Sequence, residues 1–302
     1  MTLLAGLGCL APSALSATLM VGPGQRYAAP SAAAAAARPG DRIVIAPGRY
    51  RDCAIWRTAD ITIEAGPGAP VEIEGPVCGG KALFVTAAPR ITIIGLTFRG
   101  AVAPPGNGAG IRAEGGDLTI RRARFIDNQN GILAASLPTA TLRIEASEFI
   151  GNGALVGECA HGVYANRLAL VSIRNSRFAE TRVCHHIKSR GLRTEIVGTA
   201  ILDGETTTSS YLVDIPNGGD LLLAGNTMRK GPRAGNAATA VAIGAEGVTN
   251  PTNRLEIRNN RFANLQPRST TFIRNLTEVP AVLERNVLEG SVTALAGPGS
   301  VR

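Results

Sequence analysis

An aliphatic residue followed five positions later by a large apolar one recurs along most of this chain: Ile93 to Phe98, Ile120 to Phe125, Ile144 to Phe149, Ile173 to Phe178 and Ile257 to Phe262. Weaker copies run from Ile196 to Ile201, Leu223 to Met228 and Leu283 to Leu288. Successive copies start 27, 24, 29, 23, 27, 34 and 26 residues apart. Such a period means one structural unit repeated, each burying its apolar face only by stacking on its neighbours. Three places after the aliphatic residue stand Ser147, Ser176, Thr199, Asn226, Asn260 and Asn286. Stacked in space, these predict a polar ladder at a turn, bonded from rung to rung. The L-x-x-L-x-L-x-x-N frame of leucine-rich repeats is absent, and so are hexapeptide repeats. The coils of a parallel β-helix remain.

Composition agrees. Hydrophobic residues make up 45% of the 302, yet only twelve are aromatic, so the core is built from Ile, Leu, Val and Ala, as regularly stacked short strands require. Pro30 to Tyr50, "PSAAAAAARPGDRIVIAPGRY", reads as an alanine helix capped by Ser31, a turn at Pro39 and Gly40, and a strand closed by a second turn. A solenoid needs its open end covered, and a small helix does that. With this segment and the later coils, the chain resembles the right-handed parallel β-helix proteins of the pectin-lyase-like superfamily over nearly all of residues 18–302. The resemblance implies an all-β, single-domain β-helix of roughly nine coils with an N-terminal capping helix. It implies less about activity, because the superfamily includes lyases, hydrolases, epimerases and phage tailspikes.

A net charge of +8 points to anionic partners. No basic run, aromatic stacking motif or recognition-helix signature supports nucleic acid, so the expected partner is an acidic polysaccharide, bound by a monomer. Residues 1–17, "MTLLAGLGCLAPSALSA", resemble the apolar and cleavage regions of a signal peptide without its basic start, and are too short and interrupted to span a membrane. Periplasmic or secreted localisation is therefore expected. Removing Cys9 with that leader leaves Cys53, Cys78, Cys159 and Cys184, two sequential pairs each 25 residues apart. That separation is close to one coil, which predicts Cys53–Cys78 and Cys159–Cys184 disulfides between neighbouring rungs. A Cys2His2 zinc site with His161 and His185 is the alternative for the second pair, against the usual ligand spacing.

One strand per coil aligns on Ile111, Ile132, Val163, Ile187, Val213, Val241 and Ile273. Residues one and three places later should face outward. In three consecutive coils these are Tyr164 with Asn166, Lys188 with Arg190, and Asp214 with Pro216, preceded by His161, by His185 and His186, and by Tyr211. The flanking coils offer Leu133 with Ala135 and Ala242 with Gly244, so the polar chemistry is confined to three rungs. With rungs about 4.8 Å apart and alternate residues about 6.6 Å apart, Tyr164, Lys188, Arg190 and Asp214 should share a patch the size of one or two sugar rings.

A uronate lyase needs a cation for the C6 carboxylate, a base for the C5 proton and an acid for the O4 leaving group. Arg190 suits the first role. Lys188 suits the second where Arg190 and a desolvated substrate favour its neutral form. Tyr164, His161 or one of His185 and His186 can supply the acid, histidine most readily near neutral pH. Asn166, His186, Tyr211, Asp214 and Asn217 are the expected substrate-binding residues. Some superfamily lyases are similar in pairing lysine with arginine on this face. Their acidic calcium cluster is not visible, so no cofactor is expected unless Asp214 helps hold Ca2+. Each residue also has a plainer reading: Asp214 with Lys188 as a cross-strand ion pair, the tyrosines as cover for apolar edge, one histidine as a structural hydrogen-bonder, and Asn217 to Gly219 as a turn. A hydrolase pairing Asp214 with Asp203 or Glu205, a C5-epimerase using the same residues, and a non-catalytic glycan-binding module stay open.

Overall fold

The structure, a computed structural model, describes residues 16–302. The leader-like reading and Cys9 fall almost wholly outside that range. The chain winds through three parallel sheets of twelve, ten and ten strands, about eleven turns rather than the expected nine. The difference lies at the N-terminus. Thr18–Val21, Arg42–Ile45, Gly48–Arg51 and Thr62–Ala65 already form coils, but five places after their inward Leu19, Ile43 and Ile63 stand glycines, so the later repeat does not show there.

The repeat places its residues as the pattern requires. Ile93, Ile120, Ile144, Ile173, Ile196, Leu223, Ile257 and Leu283 pair one with the next along the first sheet, buried to within 1%. Phe98, Phe125, Phe149 and Phe178 stack inside the coil, with ring centroids 5.2, 4.5 and 4.4 Å apart and nearly parallel planes. The polar ladder forms at the turn between these two rows. Each rung's backbone N–H donates to the next side-chain oxygen, from Ser147 to Ser176, Thr199, Asn226, Asn260 and Asn286, at 2.9 to 3.4 Å. Asn226 and Asn260 also donate side chain to side chain. The residue before each rung is left-handed: Ala146, Asn175, Asn259 and Arg285 have φ between 48° and 55°, with glycines at 198 and 225.

The helix spans Pro30–Ala36 and is capped at Ala29, not Ser31. Pro30 has no N–H to lose and sits in the first turn, which moves the start two residues upstream. The Ser31 N–H instead donates to Asp52 at 2.7 Å. Ala33 is fully buried where the helix packs against Thr18–Val21 and Ala54–Trp56. Both disulfides are present, with Cα separations of 5.5 and 5.9 Å, so zinc has no thiolates at Cys159 and Cys184. No helix among the described residues is long and apolar enough to cross a membrane.

Candidate active site

The second sheet carries the site. Its inward row, from Ile111 through Ile132, Val163, Ile187, Val213 and Val241 to Ile273, is continuous and shielded from solvent. The pleat therefore turns Tyr164, Lys188 and Asp214 outward, directly opposite one another on adjacent rungs. An antiparallel hairpin, Ala154–Val156 with Glu158–Ala160, interrupts the coil just before the first of these rungs. The Cys159–Cys184 bond ties it to the residue preceding His185.

Arg190 organises the face. Its Nε donates to the Tyr164 hydroxyl at 3.1 Å, its Nη1 to the Asn217 side-chain oxygen, and its Nη2 to Glu246 at 2.6 Å. Lys188 Nζ lies 2.5 Å from Glu246 Oε1 and 3.3 Å from Asp214 Oδ2, and 5.8 Å from the centroid of the Tyr164 ring. Asn217 does more than turn the chain, because it fixes one arm of the guanidinium and anchors the Gly247 carbonyl at 3.2 Å. Asn166 sits on the face but donates back to Ala134 at 2.8 Å, bracing the neighbouring coil.

Burial drives the Asp214 carboxyl up to about 6, against the opposing pull of Lys188. Its Oδ1 is buried without a hydrogen-bond partner, an acceptor that a ligand hydroxyl can use.

The imidazoles behave differently from the expectation. His161, His185 and Tyr211 form a stack along the rim, with centroids 4.9 and 5.0 Å apart. The His185 backbone N–H donates to His161 Nδ1, and that of Tyr211 to His185 Nδ1, both at 3.1 Å. Each Nδ1 must then be unprotonated, which puts the single ring proton of both histidines on Nε2. Burial, reinforced by the neighbouring Lys188 charge, lowers His185 to about 3 and pushes His161 well below its usual value. Neither ring is an imidazolium near neutral pH, so the reason for favouring histidine as acid disappears. They act as a rigid wall, with His185 Nε2 3.6 Å from Asp214.

His186 does not reach the face and cannot bind substrate there. It is fully buried, bonded through Nδ1 to Thr181 at 2.8 Å and through Nε2 to Asp203 at 2.7 Å. Cys184 has φ of 68°, a kink that resets the alternation before the strand begins at Ile187. Asp203 also accepts from Ser209 and from the Gly231 N–H. It is committed to this interior network and does not join Asp214 as a hydrolase pair.

Glu246 was not legible as a site residue. It projects from the segment between Ile243 and Leu255, within the 34-residue interval that is the longest in the repeat. That length was the available signal.

The residues do not fit a calcium centre. Asp214 and Glu246 each turn one oxygen to Lys188, and the second Glu246 oxygen takes Arg190, whereas calcium takes six to eight oxygen ligands, and no His, Cys, Asp or Glu group of three is placed as metal ligands among the described residues. Concavities of about 550 and 660 Å³ lie around Arg42, Glu64 and Arg122 and beside the capping helix, away from these residues.

No protein-family model matches the chain, and no curated protein sequence does. Among solved structures, an alginate lyase from Paenibacillus sp. strain FPU-7 is similar with a TM-score of 0.60 and 18% identity, over 92% of this chain and 99% of that one. The A-module of a mannuronan C-5 epimerase from Azotobacter vinelandii gives 0.48 and 13%, over 86% and 91%. The pectin methylesterase PemA from Erwinia chrysanthemi gives 0.38 and 11%, over 94% and 81%. At such identities likeness speaks for architecture alone. The chain is thus a parallel β-helix, the architecture it shares with the Paenibacillus enzyme.

Proposed function

We propose that this face cleaves a uronate-containing polysaccharide by β-elimination. One observation carries the reading: an arginine bonded to a tyrosine hydroxyl, with a lysine opposite that tyrosine on the next rung. Arg190 holds the C6 carboxylate and stabilises the charge that gathers there when C5 loses its proton. Lys188, in its neutral form, takes that proton. The electron pair left at C5 forms the C4–C5 double bond and breaks the C4–O4 bond. Tyr164, its oxygen already polarised by Arg190, gives its proton to the departing O4. Lys188 then returns its proton to the tyrosinate through solvent, which restores both groups. The unpartnered Asp214 Oδ1 receives a sugar hydroxyl, and the His161–His185–Tyr211 wall borders the ring.

The two disulfides belong to an oxidising compartment, so we place the protein in the periplasm or outside the cell. Alginate, the substrate that names the Paenibacillus enzyme, heads the glycans to test.

Steady-state kinetics of Lys188→Ala and Lys188→Arg test the assignment. Both should lower kcat by about a hundredfold or more with little change in substrate affinity, because the lost interaction exists only in the transition state and arginine is a poor base. Full activity in Lys188→Ala removes Lys188 from the mechanism.

A further inference from the structure

We propose that the Glu246 carboxylate occupies the subsite of the substrate carboxylate, as an internal occupant that an incoming uronate must displace. The inference rests on the reading of the face as a uronate site. One of its oxygens lies on the guanidinium arm that would take a C6 carboxylate, 2.6 Å from Arg190 Nη2, and the other pairs with Lys188 Nζ at 2.5 Å. An incoming uronate that takes Arg190 displaces this carboxylate from both partners and leaves Lys188 Nζ clear to receive the C5 proton.

Of the two carboxylates on Lys188, only Glu246 can leave. Asp214 has a side chain 3% exposed and belongs to the sheet, whereas the Glu246 side chain is 44% exposed and rises from a loop. The loop backbone is held independently of the ion pair. Gly244 N–H donates to Ile215 and Glu246 N–H to Pro216, both at 2.9 Å. Thr249 and Asn250 N–H both reach the Asn217 carbonyl at 3.0 Å. Rotation of one side chain into water therefore clears the subsite without unfolding the loop. An ion pair this exposed is weak, and its replacement by another carboxylate conserves charge. A neutral or esterified sugar has no such compensation, so Glu246 restricts the site to free uronates.

A purely structural ion pair predicts the reverse effect, since its removal would loosen Lys188 and Arg190 and weaken binding. Calorimetric titration with mannuronate, guluronate and galacturonate oligomers separates the two. Glu246→Gln and Glu246→Ala should each tighten binding about tenfold at moderate salt. The control Glu278→Gln removes an equal charge from an exposed side chain that forms no ion pair among the described residues, and should change affinity less than twofold. Unchanged or weaker binding in both Glu246 variants overturns the proposal, as does failure of both to bind any of the three oligomers. So does a complex with Glu246 still seated between Lys188 and Arg190. Tighter binding without turnover supports the displacement and sinks the β-elimination instead.

Discussion

Replacing Arg190 by lysine keeps the positive charge and removes the fork. The guanidinium serves three acceptors at once, the Tyr164 hydroxyl at 3.1 Å, the Asn217 amide oxygen and Glu246 at 2.6 Å. An ammonium on a flexible stem cannot reach all three. Hydrogen bonds from charged groups are worth about 1.5–3 kcal/mol each, and the side chain is 23% exposed, so the lower end applies. Losing the bonds to Tyr164 and Asn217 then costs about 3 kcal/mol, or roughly a hundredfold in kcat/KM. The loss should divide. KM rises because bidentate binding of the carboxylate is gone, and kcat falls because Tyr164 is no longer aimed. Asn217→Ala breaks one of those bonds and should cost about tenfold. Initial rates on the best acidic glycan measure both. If Arg190→Lys keeps more than half of wild-type kcat/KM, charge alone suffices and the geometric argument fails.

Three predictions concern stability. Asn226→Ala leaves the Thr199 N–H and the Ile196 carbonyl without partners beneath the surface, and should cost about 3 kcal/mol in urea unfolding; a loss under 1 kcal/mol would mean the ladder contributes little. Ala146, exposed with φ of 48°, should gain about 1 kcal/mol on replacement by glycine, read as a rise in melting temperature. Asp214 is raised from 3.8 to about 6, so the folded state holds a proton the unfolded chain has released. Its contribution to stability therefore falls by about 3 kcal/mol as pH rises from about 4 to 6, a slope that Asp214→Asn should abolish.

The register of the coils was readable because the aligned inward row is aliphatic at every rung from Ile111 to Ile273, and a one-residue slip would reverse every face. The disulfides followed from the same period. What the sequence hid was whatever lies off the strands. His185 and His186 are adjacent and chemically identical, and only the backbone kink at Cys184 decides that His185 joins the rim while His186 turns inward. Glu246 belongs to a long inter-coil segment whose path depends on contacts with Pro216 and Asn217, and no periodicity extends there. The neutral state of the imidazoles is a property of burial, which residue type alone does not report.

The most direct test is ultraviolet absorbance in the unsaturated-uronate band while the protein is incubated with alginate, pectate and other acidic polysaccharides. The band appears only if C5 loses its proton and the C4–O4 bond breaks. Growth of the band with the wild-type protein on at least one of these glycans, abolished by Lys188→Ala, is the predicted result. New reducing ends without the band, or no change on any glycan, would contradict β-elimination at this face.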